Sequence, residues 1–257
     1  MQQLTQVALD FGGSNTYSGV STSRTLMLKE LTTLLAEMPL DSTNDDFRTA
    51  IVDTNVLLKP SASTRSKTYS YLRDRFALDP AVGIFRVLRL LWNKDEAGRP
   101  LMALLVAAFR DPVLRVTIPS MIGRQPDLPF TSREFGQVIN EAFPARLTEK
   151  TLKSTGENTT STYKQSGHLA GKSNCIRHRV TPTPGSTTIA LLLATLDGAG
   201  GKALLDSDWV QLLDSPGELI LAEARVASSR GWLEYRHAGD VLQITFYQLL
   251  ASIEDHR

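Results

Sequence analysis

The side chains best equipped for chemistry in this sequence are cations gathered in two stretches. Between Ser61 and Phe76 stand Arg65, Lys67, Arg73 and Arg75, opposed by a single acid, Asp74. Between Arg146 and Arg179 stand Arg146, Lys150, Lys153, Lys164, Lys172, Arg177 and Arg179, opposed by Glu149 and Glu157. Ammonium and guanidinium groups neutralise phosphate oxygens and displace their counterions, and short hydroxyls and amides hydrogen-bond the same oxygens. The second stretch supplies those as well, in Ser154, Thr155, Asn158, Thr159, Thr160, Ser161, Thr162, Gln165 and Ser166. The expected chemistry is therefore recognition of a polyanionic backbone. Its expected DNA-contacting residues are Arg65, Lys67, Arg73, Arg75, Lys150, Lys153, Lys164, Lys172 and Arg177. Catalytic groups are not evident. His168, His178, His237 and His256 lack metal-ligand spacing from one another, and Cys175 with His178 supplies only two ligands. No serine sits in a nucleophile elbow. The expectation is a non-enzyme with no metal and no cofactor.

Two short stretches imitate catalytic motifs. Ile51-Val52-Asp53-Thr54-Asn55 resembles the first strand of a PIN-domain nuclease, whose aspartate helps hold Mg²⁺ or Mn²⁺. The chain beyond it is helical and basic rather than an acid-bearing strand–helix alternation, so Asp53 is expected at a helix end. Gly167-His168-Leu169-Ala170-Gly171-Lys172-Ser173 resembles a phosphate-binding P-loop. It is one residue short between the glycines, and no apolar strand leads into it.

These side chains need elements to hold them, and the apolar spacing is mostly helical. After a Gly/Ser/Thr-rich start, Leu26 to Leu35 recur at helical spacing with Ser23 as N-cap. Helices are expected over 45–58, 61–76, 80–93, 99–110 and 112–122, the last cut by Pro119. The 45–58 and 61–76 pair, joined across Pro60, is helix-turn-helix-like, and the hydroxyls of Ser61, Ser63 and Thr64 stand at the second helix's N-terminus. Residues 123–129 read as a linker. Helices are expected at 131–142 and 147–164, the second interrupted by Gly156, then a strand at 176–180 and helices at 187–196, 202–213 and 216–229. Residues 232–237 and 241–246 flank Ala238-Gly239-Asp240 as a hairpin. Three helices and a hairpin make a winged-helix-like order, and its mixed-sign face (Glu218, Glu223, Arg225, Glu234, Arg236, Asp240) suits a protein partner. The fold class is mainly α. Residues 1–122 form an N-terminal helical bundle with the helix-turn-helix-like element. Residues 123–257 form a C-terminal helical domain with the winged-helix-like end and its small β-hairpin.

The 257 residues are 42% apolar, enough for a sizeable core, and carry a net charge of only +1. Any polyanion binding must then come from local charge distribution. One cysteine excludes an internal disulfide and fits a reducing compartment. Met1-Gln2-Gln3-Leu4 does not open a signal peptide, and the apolar runs at 101–109 and 189–195 fall far short of the ~20 residues of a membrane span. A cytoplasmic location is expected, with no membrane partner.

The arrangement resembles the BrxA family, small accessory proteins of BREX phage-defence systems. The residues that carry the likeness are Tyr17-Ser18-Gly19 before Ser23-Arg24, Asn55-Val56-Leu57-Leu58 with Ser63-Thr64-Arg65, and the Ser/Thr-rich stretch from Thr151 closed by Gly167-His168-Leu169. The resemblance implies a helical double-stranded-DNA binder without catalytic activity, working in antiviral defence beside other subunits, a methyltransferase and ATPases. The alternatives are a protein-interaction adaptor in a multi-subunit complex, or a PIN-like metal-dependent nuclease through Asp53.

Overall fold

A computed structural model describes residues 3–17, 19–172, 174–239 and 241–254. Ser18, Ser173, Asp240 and His256 lie outside the described residues. The chain is mainly helical with two small antiparallel sheets. It opens with α1 (Gln6–Asp10), α2 (Val20–Ser23) and α3 (Leu28–Glu37). Ser23 was expected to cap α3, yet it ends α2. The first amide of α3, on Leu28, is instead taken by the side chain of Gln165, 137 residues downstream, at 3.0 Å. α4 (Asn44–Arg48) starts at a Thr43/Asp46 capping box and runs into a π-helical turn, Thr49–Asp53. The helix expected to reach Leu58 therefore stops five residues earlier.

α5 (Ala62–Phe76) begins where expected, with Ser61 Oγ accepting from the Thr64 amide. α6 (Gly83–Trp92) starts later than Pro80. α7 (Arg99–Arg110) has proline in its first turn. The stretch from Pro112 divides into α8 (Pro112–Arg115) and α9 (Ile118–Ile122), because Pro119 opens a new helix rather than only closing an old one. Strand β1 (Pro129–Phe130) precedes α10 (Ser132–Ala142) and α11 (Glu149–Gln165). Strands β2 (Leu169–Ala170) and β3 (Cys175–Arg177) complete a sheet of order β1-β3-β2.

The last third comprises α12 (Pro184–Leu196), a 3₁₀ turn at Gly201–Leu204, α13 (Asp208–Gln211) and α14 (Gly217–Ser229). The continuous helix expected at 202–213 is broken where Ser207 accepts the Trp209 amide and starts α13 afresh. The hairpin of β4 (Glu234–Ala238) and β5 (Val241–Thr245) pairs Glu234 with Thr245 and Ala238 with Val241. α15 (Tyr247–Glu254), which the apolar pattern did not announce, comes after it.

α12 is buried on every side from Gly185 to Ala194 and packs against α7, α13 and α14. The buried apolar residues form one contiguous cluster from Leu4 to Leu249, which crosses the expected 122/123 boundary. Asp95 reinforces that crossing. One of its oxygens accepts from Gly98 at the start of α7, the other from Gly185 at the start of α12 (3.3 and 2.6 Å). A carboxylate between two helix N-termini meets two positive dipole ends at once. No helix among the described residues is long and apolar enough to cross a membrane.

Candidate nucleic-acid interface

At 3.6 residues per turn, Ser63, Ser66, Lys67, Ser70 and Arg73 fall along one side of α5, and that side faces outward. The other side buries Thr68, Tyr69, Leu72, Arg75 and Phe76. Arg73 lies against Tyr69 and donates two hydrogen bonds to Asp74 (3.0 and 2.8 Å), so much of its charge is already matched. Arg65 sits toward the inner side, half-buried, with its Nε covered. Arg75 corrects the sequence reading. It is 1% exposed, gives one hydrogen bond to the Arg24 carbonyl at 3.3 Å, and has its proton affinity lowered by burial against a weaker pull from Asp111. It cannot reach a phosphate.

α11 is capped by Thr148, whose hydroxyl accepts from the Thr151 amide. Lys150, Lys153, Glu157, Ser161 and Lys164 recur at three- and four-residue steps, which puts them within about a quarter of the helix circumference. Lys150, Lys153 and Glu157 are exposed, and Ser161 and Lys164 are half-exposed. Most of the hydroxyls expected among these lysines face inward. Thr155, Thr160 and Thr162 are buried and donate to carbonyls one turn back, at 2.7, 2.8 and 3.0 Å.

Gly156, expected to interrupt this helix, is what allows α10 and α11 to cross. A Cβ there would lie 2.2 Å from the Ser132 carbonyl oxygen. Above the crossing the two helices enclose a cleft of about 790 Å³ lined by Arg133, Gln137 and Asn140 of α10 and by Glu149, Lys150 and Lys153 of α11. The sequence reading missed the α10 contribution. Its signal was available, since Arg133, Gln137 and Asn140 recur at i, i+4 and i+7.

The segment after α2 links the two cationic helices. The Arg24 guanidinium stacks on Tyr71 of α5, 4.7 Å from the ring centre. Its neighbour Thr25 accepts from Gln165 near the end of α11 at 2.9 Å. Next to Gln165, Lys164 reaches the Lys172 carbonyl at 2.9 Å, and Lys172 stands exposed in the β2–β3 turn. Among the described residues, Lys67, Lys150, Lys153, Lys164 and Lys172 make no ion pair.

Arg177 is the second correction. It is 1% exposed and pairs with Asp214 at 2.5 Å, while its Nε donates to the Met121 carbonyl at 3.2 Å and its Nη1 to the His178 carbonyl. Beside it His168 is fully buried. Nε2 meets the Leu212 carbonyl at 2.9 Å, which makes it the protonated nitrogen, and Nδ1 faces Ser166 Oγ at 2.8 Å. Burial holds its pKa down at about 4, outweighing the Leu212 hydrogen bond and Asp214. His168 is a neutral strut between β2 and the segment before α14.

Of the two catalytic look-alikes, Asp53 ends the π-helical turn, exposed and 3.9 Å from Arg48, not on a strand. Gly171 (φ +103°) turns β2 into β3, so no helix comes after the Gly-rich loop to back a phosphate. Among the described residues no three His, Cys, Asp or Glu side chains gather in a way that could hold a metal. No protein-family model matches the chain, and no curated protein matches it.

Proposed function

We propose that this chain is a non-catalytic accessory protein that binds the phosphate backbone of double-stranded DNA, in a phage-defence setting of the BrxA kind. The observation that carries the reading is the outward stripe of Lys150, Lys153 and Lys164 on α11. These lysines make no ion pair among the described residues, and the contacts of Arg24 with Tyr71 and of Thr25 with Gln165 link α11 to α5, which carries Lys67. Lysines left unmatched on a rigid helix have the field that a polyanion completes. The revised contact set is Lys67, Lys150, Lys153, Lys164 and Lys172, with Arg24 and Arg133 added and Arg75 and Arg177 removed. Arg65 and Arg73 contribute little, one turned inward and the other matched by Asp74. α4, the turn and α5 act as a helix-turn-helix-like reader whose outer side offers Ser63, Ser66 and Ser70 to the groove.

With the five lysines alone each neutralising one phosphate, log K falls by about 4.5 per tenfold rise in salt. Fluorescence anisotropy with labelled duplex DNA, single-stranded DNA and RNA across a salt series tests this. Tight duplex binding with a steep slope is expected, and a flat salt response overturns the reading. A second role is favoured by the exposed apolar side chains of the C-terminal, winged-helix-like end. Leu219 and Val226 on α14, with Val241 on the hairpin, are 56%, 41% and 69% exposed. That end suits docking of another subunit, tested by co-purification with and without Leu219→Ser.

A further inference from the structure

α10 separates two cavities of opposite character. It turns Gln137 and Asn140 to the cationic cleft, and Val138, Glu141 and Ala142 to a cavity of about 610 Å³ bounded also by α9, the end of α12 and α13. The walls of this cavity are in part apolar, formed by Val116, Pro119, Val138, Ala194 and Trp209. Its charged groups are Glu141, Asp197, Asp206 and Asp208, with Arg115 as the one cation. No ion pair among the described residues neutralises any of the four carboxylates. Arg115 is turned to other work. It is 7% exposed, and donates from Nη1 to the Ala108 and Phe109 carbonyls and from Nη2 to the Ser14 carbonyl and Asn15.

Asp197 is the most constrained of the four. One oxygen accepts from the Trp209 indole at 2.5 Å, and Oδ1 is buried without a hydrogen bond. Burial raises its proton affinity above that of an ordinary aspartate, outweighing Trp209, Arg115 and the nearby Thr5 amide. The backbone adds charge of the same sign. Glu141 and Ala142 close α10, Ala194 lies in the last turn of α12 and Asp197 is its C-cap, so two helix C-termini border the cavity. The carboxylates are not gathered closely enough to hold a metal ion. The countercharge that suits them is spread over several atoms, in a space of the size that small molecules occupy. We infer that this cavity binds an aliphatic polyamine, its ammonium groups meeting the carboxylates and its methylene spacers lying along Val116, Pro119, Val138 and Trp209. The inference is independent of the DNA-binding reading above.

The test is calorimetric titration of the full chain, without DNA, by spermidine. Saturable binding of one equivalent is expected. Two controls separate the parts of the ligand: 1,8-octanediol has the stem without the charge, and MgCl₂ has the charge without the stem. Neither should bind comparably or displace spermidine at matched concentration. Asp197→Asn, which keeps an acceptor for Trp209, should weaken spermidine binding about tenfold, the worth of a hydrogen bond to a charged group. The double variant Glu141→Gln, Asp206→Asn alters only exposed side chains and should weaken it about threefold. It decides the matter if circular dichroism shows that Asp197→Asn does not fold. Absence of saturable spermidine binding, displacement by magnesium as by any acidic surface, equal binding of the diol, or wild-type affinity in the folded variants overturns the inference.

Discussion

Replacing Lys150 and Lys153 together by alanine tests the interface without touching the fold. Both side chains are exposed and make no ion pair among the described residues. Both sit in the first turns of α11, where a cation opposes the helix dipole and alanine is the better helix former. The variant should therefore be at least as stable as the wild type, and weaker binding cannot be ascribed to unfolding. Each phosphate contact adds about 0.9 to the slope of log K against log salt, so removing two lowers that slope by about 1.8. Between 50 and 200 mM KCl, a fourfold change, the wild type should lose about 12-fold more affinity than the variant. Anisotropy titrations of one labelled 30-base-pair duplex at several salt concentrations read this directly. Lys94→Ala, in the turn after α6, is the control for loss of a surface charge and should leave the slope alone. Parallel salt slopes for wild type and double variant would refute the assignment, even if the variant bound more weakly, because counterions would then be released elsewhere.

Three further outcomes concern the frame that holds the interface. Gly156→Ala puts a methyl 2.2 Å from the Ser132 carbonyl and should cost about 1–3 kcal/mol, lowering Tm by several degrees in calorimetry and weakening DNA binding with it. Arg177→Ala strands the Asp214 carboxylate beside His168 and should cost about 3–5 kcal/mol in urea unfolding, with no specific change in salt slope. His168 has a folded pKa of about 4, below the ~6.5 of the unfolded chain. The unfolded state therefore binds the extra proton between those values. Stability from this group is complete above pH 6.5 and is lost as the pH falls toward 4, by about 2–3 kcal/mol between pH 7 and 4.5. His168→Gln, whose amide can still donate to Leu212, should flatten that part of the stability profile, and an unchanged profile would count against a buried neutral imidazole.

Much of the helical plan was legible because it is written in local chemistry. Ser61 before α5, Thr148 before α11 and the Thr131/Glu134 box before α10 are caps set by residues within one turn. Where the plan was misread, the determinant lies far off in the chain. α3 starts at Leu28 because Gln165 supplies its cap, and no window of ten residues contains that fact. Gly156 reads locally as a helix breaker, and only the approach of Ser132 from α10 explains it as a crossing point. The threonines around it look like a polar surface, yet back-bonding to the preceding turn let Thr155, Thr160 and Thr162 enter the core. Of the cations singled out in the sequence, Lys67, Lys150, Lys153 and Lys172 stand exposed and Lys164 is half-exposed, whereas Arg75 and Arg177 are buried.

That difference between lysine and arginine has a common cause. Many short helices end inside this molecule, and each end leaves carbonyls without intrahelical partners. Buried and half-buried arginines repeatedly meet them. Arg89 spans the Leu35, Met38 and Pro39 carbonyls at the end of α3. Arg99 reaches Trp92 at the end of α6, Arg115 reaches Ala108 and Phe109 at the end of α7, and Arg177 reaches Met121 in α9. Arg110 takes the Asp74 carbonyl near the end of α5, and Arg75 takes that of Arg24 just after α2. A guanidinium suits this task because its five donors fan out in a plane, its charge matches the negative end of the helix dipole, and it is less strongly hydrated than an ammonium. Lysine fits poorly there and stays outside. On the outer sides of α5 and α11 the cations without an ion pair among the described residues are Lys67, Lys150, Lys153 and Lys164, and an ammonium meeting a phosphate would act as a point charge with no base information. On the proposed DNA-binding reading, exchanging lysines on α11 should change affinity for all duplexes alike, whereas Ser63→Ala and Ser66→Ala on the outer side of α5 should alter the preference among them.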